Sequence, residues 1–256
     1  MCDAIPSSDD RPDIERELRK QFSVGRKEIS SALKLLLAEN ELKYTSPDGH
    51  SFIEVSRDKA IRVTDRIVLK PPDISFDSHT DDVVIDLAFG ASFGSGSHPT
   101  TRLALAGIEY ALYEKNLLTD HVQSSALDIG TGSGVLAIAA VKMGIAHAVG
   151  IDIDPCARAE ASENVKLNGL SDKIIIEDRN IDTISRKFSM ILANLRLPTL
   201  KYMFPKISQL IEPGGIIVIS GIYTHEVSDS DMLYANRFVR EWKNDATGWT
   251  ALIYRA

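Results

Sequence analysis

Cysteine is almost missing from this chain of 256 residues, which holds only Cys2 and Cys156. One sits at the terminus and the other follows a strand-like run, so neither a disulfide framework nor a metal-ligand spacing is present, and no metal site is expected. A reducing, cytoplasmic setting fits that usage. Long apolar runs are also missing, so no segment reaches the length of a membrane span. No basic start leads into an apolar stretch, which argues against a secretory signal. Positive charge is not in excess: 29 Lys and Arg against 36 Asp and Glu leave a net charge of −7. Nucleic acid is therefore not the default partner, since phosphate binding calls for clustered Lys and Arg. No internal repeat and no low-complexity tract interrupts the chain.

What is present is ordinary for a soluble globular protein, with 44% hydrophobic and 25% charged residues. The length suits one α/β domain with a smaller companion. Residues 1 to about 11 are polar and read as a tail. Pro12 to Phe22 reads as a short charged helix with Pro near its start. A second helix over Arg26 to Glu41 places Ile29, Leu33, Leu36 and Leu37 on one face. Pro47-Asp48-Gly49 between Lys43–Thr45 and Ser51–Val55 reads as a hairpin. Two helices and a hairpin suggest a small α+β, winged-helix-like unit. A DNA-gripping unit of that kind would be basic, yet residues 1 to 72 carry thirteen Lys/Arg and thirteen Asp/Glu. Packing, or recognition of a protein substrate, is the reading for this unit. Pro71-Pro72-Asp73 breaks the strand-like run over 61–69, so the domains are expected to be 1–72 and 73–256.

From there strands and helices alternate. Strand-like runs are Val83–Leu87, Ser125–Ile129, His147–Ile151, Lys173–Glu177, Met190–Ala193 and Ile216–Ser220, with helical runs Thr100–Glu114, Gly134–Met143, Pro155–Leu167 and Pro198–Leu210 between them. This order predicts βαβ units and a mainly parallel sheet. Arg240–Lys243 and Gly248–Arg255 read as a closing antiparallel pair at its edge.

The chemistry concentrates at Asp128-Ile129-Gly130-Thr131-Gly132-Ser133-Gly134. A buried strand here turns sharply into a helix. Such turns need positive φ, which glycine adopts cheaply, and a ligand approaches the backbone closely only where no Cβ stands in the way. The spacing is G-x-G-x-G, not the G-x-G-x-x-G that seats a pyrophosphate. Asp128, two residues before Gly130, would repel a pyrophosphate and would suit the ammonium of a methionine moiety, directly or through water. Asp152 lies 22 positions after Gly130, at the tip of the next strand. A carboxylate there accepts both hydroxyls of a ribose, in a nicotinamide cofactor or in S-adenosylmethionine alike. Asp154, before Pro155, reads as a helix cap.

Three further segments carry a resemblance: Phe93-Gly94-Ser95-Gly96-Ser97-His98-Pro99-Thr100-Thr101, Ala193-Asn194-Leu195-Arg196-Leu197-Pro198-Thr199-Leu200, and Pro213-Gly214-Gly215 leading into Ile216–Ile222. With the glycine turn, with Gly150-Ile151-Asp152-Ile153-Asp154-Pro155 and with the closing Gly248-Trp249-Thr250-Ala251-Leu252, the chain resembles the large-subunit ribosomal-protein methyltransferase family (PrmA) over roughly residues 90 to 256. The resemblance implies a Rossmann-like class I methyltransferase fold of seven strands, binding S-adenosylmethionine. By matching position it implies cofactor contacts at Thr101, Gly130, Asp152 and Asn194; Asp128, Gly132 and Gly134 complete the set from the turn. Thr101, in a first helical turn, would help hold the methionine carboxylate. His98, which adjoins a helix start, reads as a capping or loop-fixing residue rather than as a general base. Asp178 would reach the adenine edge, with Glu177 and Asp182 competing. Asn194 would place the methyl acceptor and is the one residue given a catalytic part. The chain departs from the family at Arg196 and Pro198, and residues 1 to about 80 do not resemble its N-terminal domain, so the ribosomal protein is not carried over as the acceptor.

The resulting expectation is a methyltransferase acting on amino groups of a protein substrate. A methyltransferase of a small molecule or RNA is the first alternative. A nicotinamide-dependent oxidoreductase and an inactive adaptor that keeps the fold are alternatives of other classes.

Overall fold

The computed structural model describes residues 18–19, 24–39, 42–45, 52–56, 59–88, 94, 96, 98–118 and 123–256. It separates into two compact units, Met1–Ala60 and Ile61–Ala256. In the first, helix α1 (Arg26–Ala38) and an antiparallel pair, β1 (Leu42–Thr45) and β2 (Phe52–Val55), are built as the periodicity and the Pro-Asp-Gly signal predict. Leu18, Ile29, Leu33, Leu42 and Ile53 form its core. Of the helix expected over 12–22, only Leu18 and Arg19 are among the described residues, and both are helical. The turn at 46–50 lies outside them.

The division at Ala60/Ile61 differs from the expected 72/73. Strands β3 (Ile61–Arg62) and β4 (Ile67–Lys70) make a three-stranded sheet with β5 (Val83–Asp86), in the order β3-β4-β5. β4 runs parallel to β5, and Ile67 and Leu69 enter the same core as Ile85 and Leu87. Pro71-Pro72 ends a strand here without ending a domain.

Beside that sheet the second unit holds one of seven strands, the number the resemblance implies, in the order β11-β12-β10-β9-β6-β7-β8. Its elements are α2 (Pro99–Glu109, continued by a π-helical turn, Tyr110–Glu114), β6 (Ser125–Ile129), α3 (Val135–Lys142), β7 (His147–Ile151), α4 (Pro155–Leu167), β8 (Ile174–Glu177), β9 (Phe188–Asn194), α5 (Leu197–Leu210), β10 (Ile211–Tyr223), α6 (Val227–Tyr234), β11 (Val239–Ala246) and β12 (Trp249–Arg255). Pairs from β8 through β10 are parallel; β12 is antiparallel to both β10 and β11. The closing pair at the sheet edge is therefore built as expected.

Period-two alternation decides where side chains go. On β9, Met190 and Leu192 join one apolar layer, while Ile191 and Ala193 join the other. On β6, Ala126 joins the first layer, and Leu127 and Ile129 the second. Asp128 shares the face of Ala126 and so points into the first apolar layer. β6 is paired with both β7 and β9, so the chain order reverses at its tip. Ligands of open α/β sheets bind at such a switch point, outside the carboxyl ends of the strands.

Candidate functional site

A cavity of about 980 Å³ opens there. Its floor is the glycine turn. Gly130, Gly132 and Gly134 have φ of +69°, +54° and +82°. The N–H groups of Gly130 and Thr131 both donate to the Ile151 carbonyl, at 2.9 and 3.0 Å, which ties the turn to the end of β7. Gly130 and Gly132 line the cavity. A Cβ on Gly130 would stand 2.7 Å from Leu195 Cδ2, so glycine is what leaves room between the turn and the end of β9. Gly134 lies behind the wall, where it caps α3 and packs on Ala161 of α4.

Asp152 joins the tip of β7 to the glycine turn. Its Oδ2 accepts the Gly132 N–H at 2.9 Å and its Oδ1 the Asp154 N–H at 3.0 Å, and it lines the cavity. Asp154 caps α4 by accepting the Cys156 N–H at 2.9 Å, the role expected of it. Arg158 braces the next strand end, donating to the Asp152 carbonyl and to Asp178 Oδ2, each at 2.9 Å. Asp178 is on the wall; Glu177, paired with Arg179, and Asp182 are not.

Asp128 takes no part in the wall. It is fully buried, Oδ2 accepts the Thr131 hydroxyl at 2.6 Å, and Oδ1 has no partner. Burial in the apolar layer pushes its carboxyl up to about 7, against the opposing effect of the Thr131 hydrogen bond. Thr101 is also buried behind the wall, with an unpartnered hydroxyl, while its neighbours His98 and Thr100 reach the cavity. His98 caps α2, accepting the Thr100 N–H at 3.3 Å, and its Nδ1 lies 2.8 Å from the Thr100 hydroxyl.

At the other end stand Asn194, Leu195, Arg196, Gly221 and Trp249. Asn194 closes β9, and its Oδ1 is buried without a partner. The four wall positions Gly130, Gly132, Asp152 and Asn194 thus meet in one cavity, with Thr101, Asp128 and Gly134 behind it.

Sequence reading missed two supports. Asn164 is fully buried; its amide donates to the Ser133 carbonyl at 2.9 Å and accepts the Ala88 N–H at 2.8 Å, pinning the turn to the segment after β5. A polar residue on the face of α4 that buries Ala157 and Ala161 was the available signal. In the sequence Trp249 carries only the resemblance, yet it forms part of the wall.

The family model described as ribosomal protein L11 methyltransferase (PrmA) matches residues 54–256. Among curated relatives, the ribosomal protein L11 methyltransferase of Pelobacter propionicus is 34% identical over 203 residues, covering 77% of this chain and 63% of that protein. That of Geobacter metallireducens is 35% identical over 196 residues, covering 76% of this chain and 62% of that protein. The chain therefore spans just over six tenths of the length of these relatives. A solved structure of ribosomal protein L11 methylase from Lactobacillus delbrueckii subsp. bulgaricus superposes with a TM-score of 0.68 and 29% identity, over 76% of this chain and 97% of that one. No described helix is long and apolar enough to cross a membrane.

Proposed function

The chain belongs to the ribosomal protein L11 methyltransferase (PrmA) family, and from that premise we propose that it is an S-adenosylmethionine-dependent methyltransferase acting on amino groups of a protein substrate. The observation that carries this reading is the meeting, in one cavity, of the Asp152 carboxylate on the β7–β8 side and the unpartnered Asn194 amide oxygen on the β9–β10 side. The first suits an adenosine, and the second a donor such as an amine. The unpartnered oxygen of Asn194, in a wall where Gly130 and Gly132 carry no Cβ, fits a polar cofactor seated over the turn.

In this reading S-adenosylmethionine supplies an electrophilic methyl group on a positively charged sulfur. Asp152 accepts the ribose hydroxyls, Asp178 faces the adenine edge, and Gly130 and Gly132 admit the ligand against the backbone. Thr101, Asp128 and Gly134 serve the cofactor from behind the wall, by shaping the first turn of α2 and the glycine turn. Asn194 accepts a hydrogen bond from the incoming amine and holds it in line. The amine must arrive unprotonated, and removal from water favours that form. Positioning in a desolvated site then provides most of the acceleration.

The N-terminal unit, most of which precedes the family match, is where we place recognition of the acceptor. The exposed, unpaired Cys156 suits a reducing compartment, and we place the activity in the cytoplasm. The test is incubation of the purified chain with methyl-tritiated S-adenosylmethionine and ribosomal protein L11. Label recovered in methylated amino groups of L11 is the expected result. Binding of S-adenosylmethionine with label passing only to RNA or small molecules of a cell extract would overturn the acceptor class, and preferential binding of NADH would overturn the cofactor.

A further inference from the structure

One guanidinium ties together the whole β9–β10 end of the cavity. Arg196 follows Asn194 by two residues and, like it, lines the wall. Its Nη1 donates to the Gly221 carbonyl at 2.8 Å. Its Nη2 lies 3.4 Å from both carboxylate oxygens of Glu226. Its Cζ lies 4.0 Å from the centre of the Tyr223 ring and 5.0 Å from that of Trp249. Those two rings stack at 4.3 Å, and Trp249 meets His98, the cap of α2, edge-on at 5.2 Å. Tyr223 is fixed in turn, because its N–H donates to Glu226 Oε2 at 2.8 Å. The turn after β9, the end of β10, the 3-10 turn Thr224–Glu226 and the start of β12 therefore converge on this side chain.

Asn194 needs such a brace. Its Oδ1 has no partner to aim it, so its direction is set by the turn it stands on. That turn lies against β10: the Leu195 N–H donates to the Ser220 carbonyl at 3.0 Å. A Cβ on Gly221 would stand 2.7 Å from the Leu195 carbonyl oxygen, so only glycine allows this approach. Arg196 spans the same junction from the other side through the Gly221 carbonyl. Its side chain is 42% exposed, and ion pairs at such sites add little to folding. The arrangement is better explained by geometry than by stability. It also calls for arginine in particular. A planar fork stacks on rings while it donates in its own plane, which an ammonium on a flexible stem does not do.

We propose that Arg196 is a positioning residue for the acceptor: by clamping Gly221, Tyr223 and Trp249 together, it holds the Asn194 amide and the Trp249 ring where the incoming amine must sit. The proposal rests on the methyltransferase reading above for its activity test, but not for its structural test. The chain has two tryptophans, Trp242 and Trp249, so Trp242→Phe leaves Trp249 as the sole reporter. In that background, Arg196→Leu and Arg196→Lys are compared with Arg196 in the full chain. The measurements are Trp249 emission and anisotropy, S-adenosylhomocysteine affinity by calorimetry, and transfer of tritiated methyl to ribosomal protein L11.

Both variants are expected to bind S-adenosylhomocysteine within about twofold of the parent, because the Asp152 end is untouched. Both are expected to change Trp249 emission, and both to lose about tenfold to a hundredfold in kcat with the KM for S-adenosylmethionine unchanged, the scale of a small misplacement. Lysine does not rescue. Parent kcat in either variant, or cofactor affinity that falls in step with activity, would overturn the proposal. Should the parent transfer nothing to L11, the acceptor reading fails by itself. Trp249 then decides the matter: altered emission with cofactor affinity kept supports the clamp, and unaltered emission removes it.

Discussion

The Asp152 carboxylate accepts the backbone N–H of Gly132 at 2.9 Å, so the tip of β7 and the glycine turn after β6 are one hydrogen-bonded unit. The same carboxylate accepts the Asp154 N–H at 3.0 Å. Asp152→Ala thus removes the holder of the turn and, in the proposed reading, a ligand contact with it. Hydrogen bonds to charged groups contribute about 1.5–3 kcal/mol each, which corresponds to a loss of roughly tenfold to a hundredfold per bond. Calorimetry with S-adenosylhomocysteine is expected to show a loss of about a hundredfold for Asp152→Ala and a smaller one for Asp152→Asn, which keeps one acceptor oxygen. Parent-like affinity in the alanine variant would detach Asp152 from the site.

Two glycines of the turn are expected to fail differently when replaced. Gly130 lines the cavity, and its missing Cβ would lie 2.7 Å from Leu195 Cδ2. Gly130→Val should therefore abolish measurable cofactor binding. Gly134 has φ of +82° and would place a Cβ 3.2 Å from that of Ala161, away from the cavity. Gly134→Ala should lower stability by about 1–2 kcal/mol, the left-handed penalty for a side chain, and affect affinity less. A thermal melt and a calorimetric titration on each variant separate the two. Equal loss of affinity would erase the distinction between wall and support.

Asp128 makes stability depend on pH. Its carboxyl is pushed up to about 7 in the fold, from an ordinary 3.8. Between those values the unfolded chain releases this proton and the folded chain keeps it. Folding stability from this group is therefore full below about pH 4, declines as pH rises, and is lost by about pH 7, by an amount on the order of 4 kcal/mol. Asp128→Asn keeps an oxygen for the Thr131 hydroxyl and has no proton to lose. Its melting temperature is expected to exceed that of the parent at pH 8, with the gap closing towards pH 4. A gap that does not vary with pH would mean that Asp128 is not the titrating group.

Local signals in the sequence located most of this architecture. The strand Ser125–Ile129 and the helix Pro155–Leu167 are legible to the residue, because glycines end the one and Asp154-Pro155 begins the other. α6 was missed, since Val-Ser-Asp-Ser-Asp-Met-Leu-Tyr has no clear apolar stripe and buries only Ser230 and Tyr234. That Gly130, Gly132, Asp152 and Asn194 share one cavity wall was legible because each stands at or just past the carboxyl end of a strand. Asp128 was legible as important but not as buried behind the wall. Its direction follows from alternation with Ala126 and from an apolar layer assembled by distant segments. The role of Arg196 was not legible, because its partners Gly221, Tyr223, Glu226 and Trp249 come from later parts of the chain.

The boundary between the units gives the last prediction. The proline pair at 71–72 is a local signal, whereas the pairing of β4 with β5 spans the loop between them and leaves no mark on composition. Ile67, Val68 and Leu69 are each fully buried. Burying one such side chain contributes about 1.5–3 kcal/mol, so losing three removes several kcal/mol from a fold whose net stability is about 5–15 kcal/mol. Leu87 would also lose the Lys70 carbonyl that accepts its N–H at 2.8 Å. A chain beginning at Ile61 is therefore expected to fold, melt cooperatively and bind S-adenosylhomocysteine with close to full-length affinity, while losing transfer to its acceptor. A chain beginning at Asp73 is expected to be insoluble or to melt far lower. Circular dichroism melts of the two truncations measure this directly. Similar melting of both would show that β3 and β4 are dispensable, and would return the boundary to the proline pair.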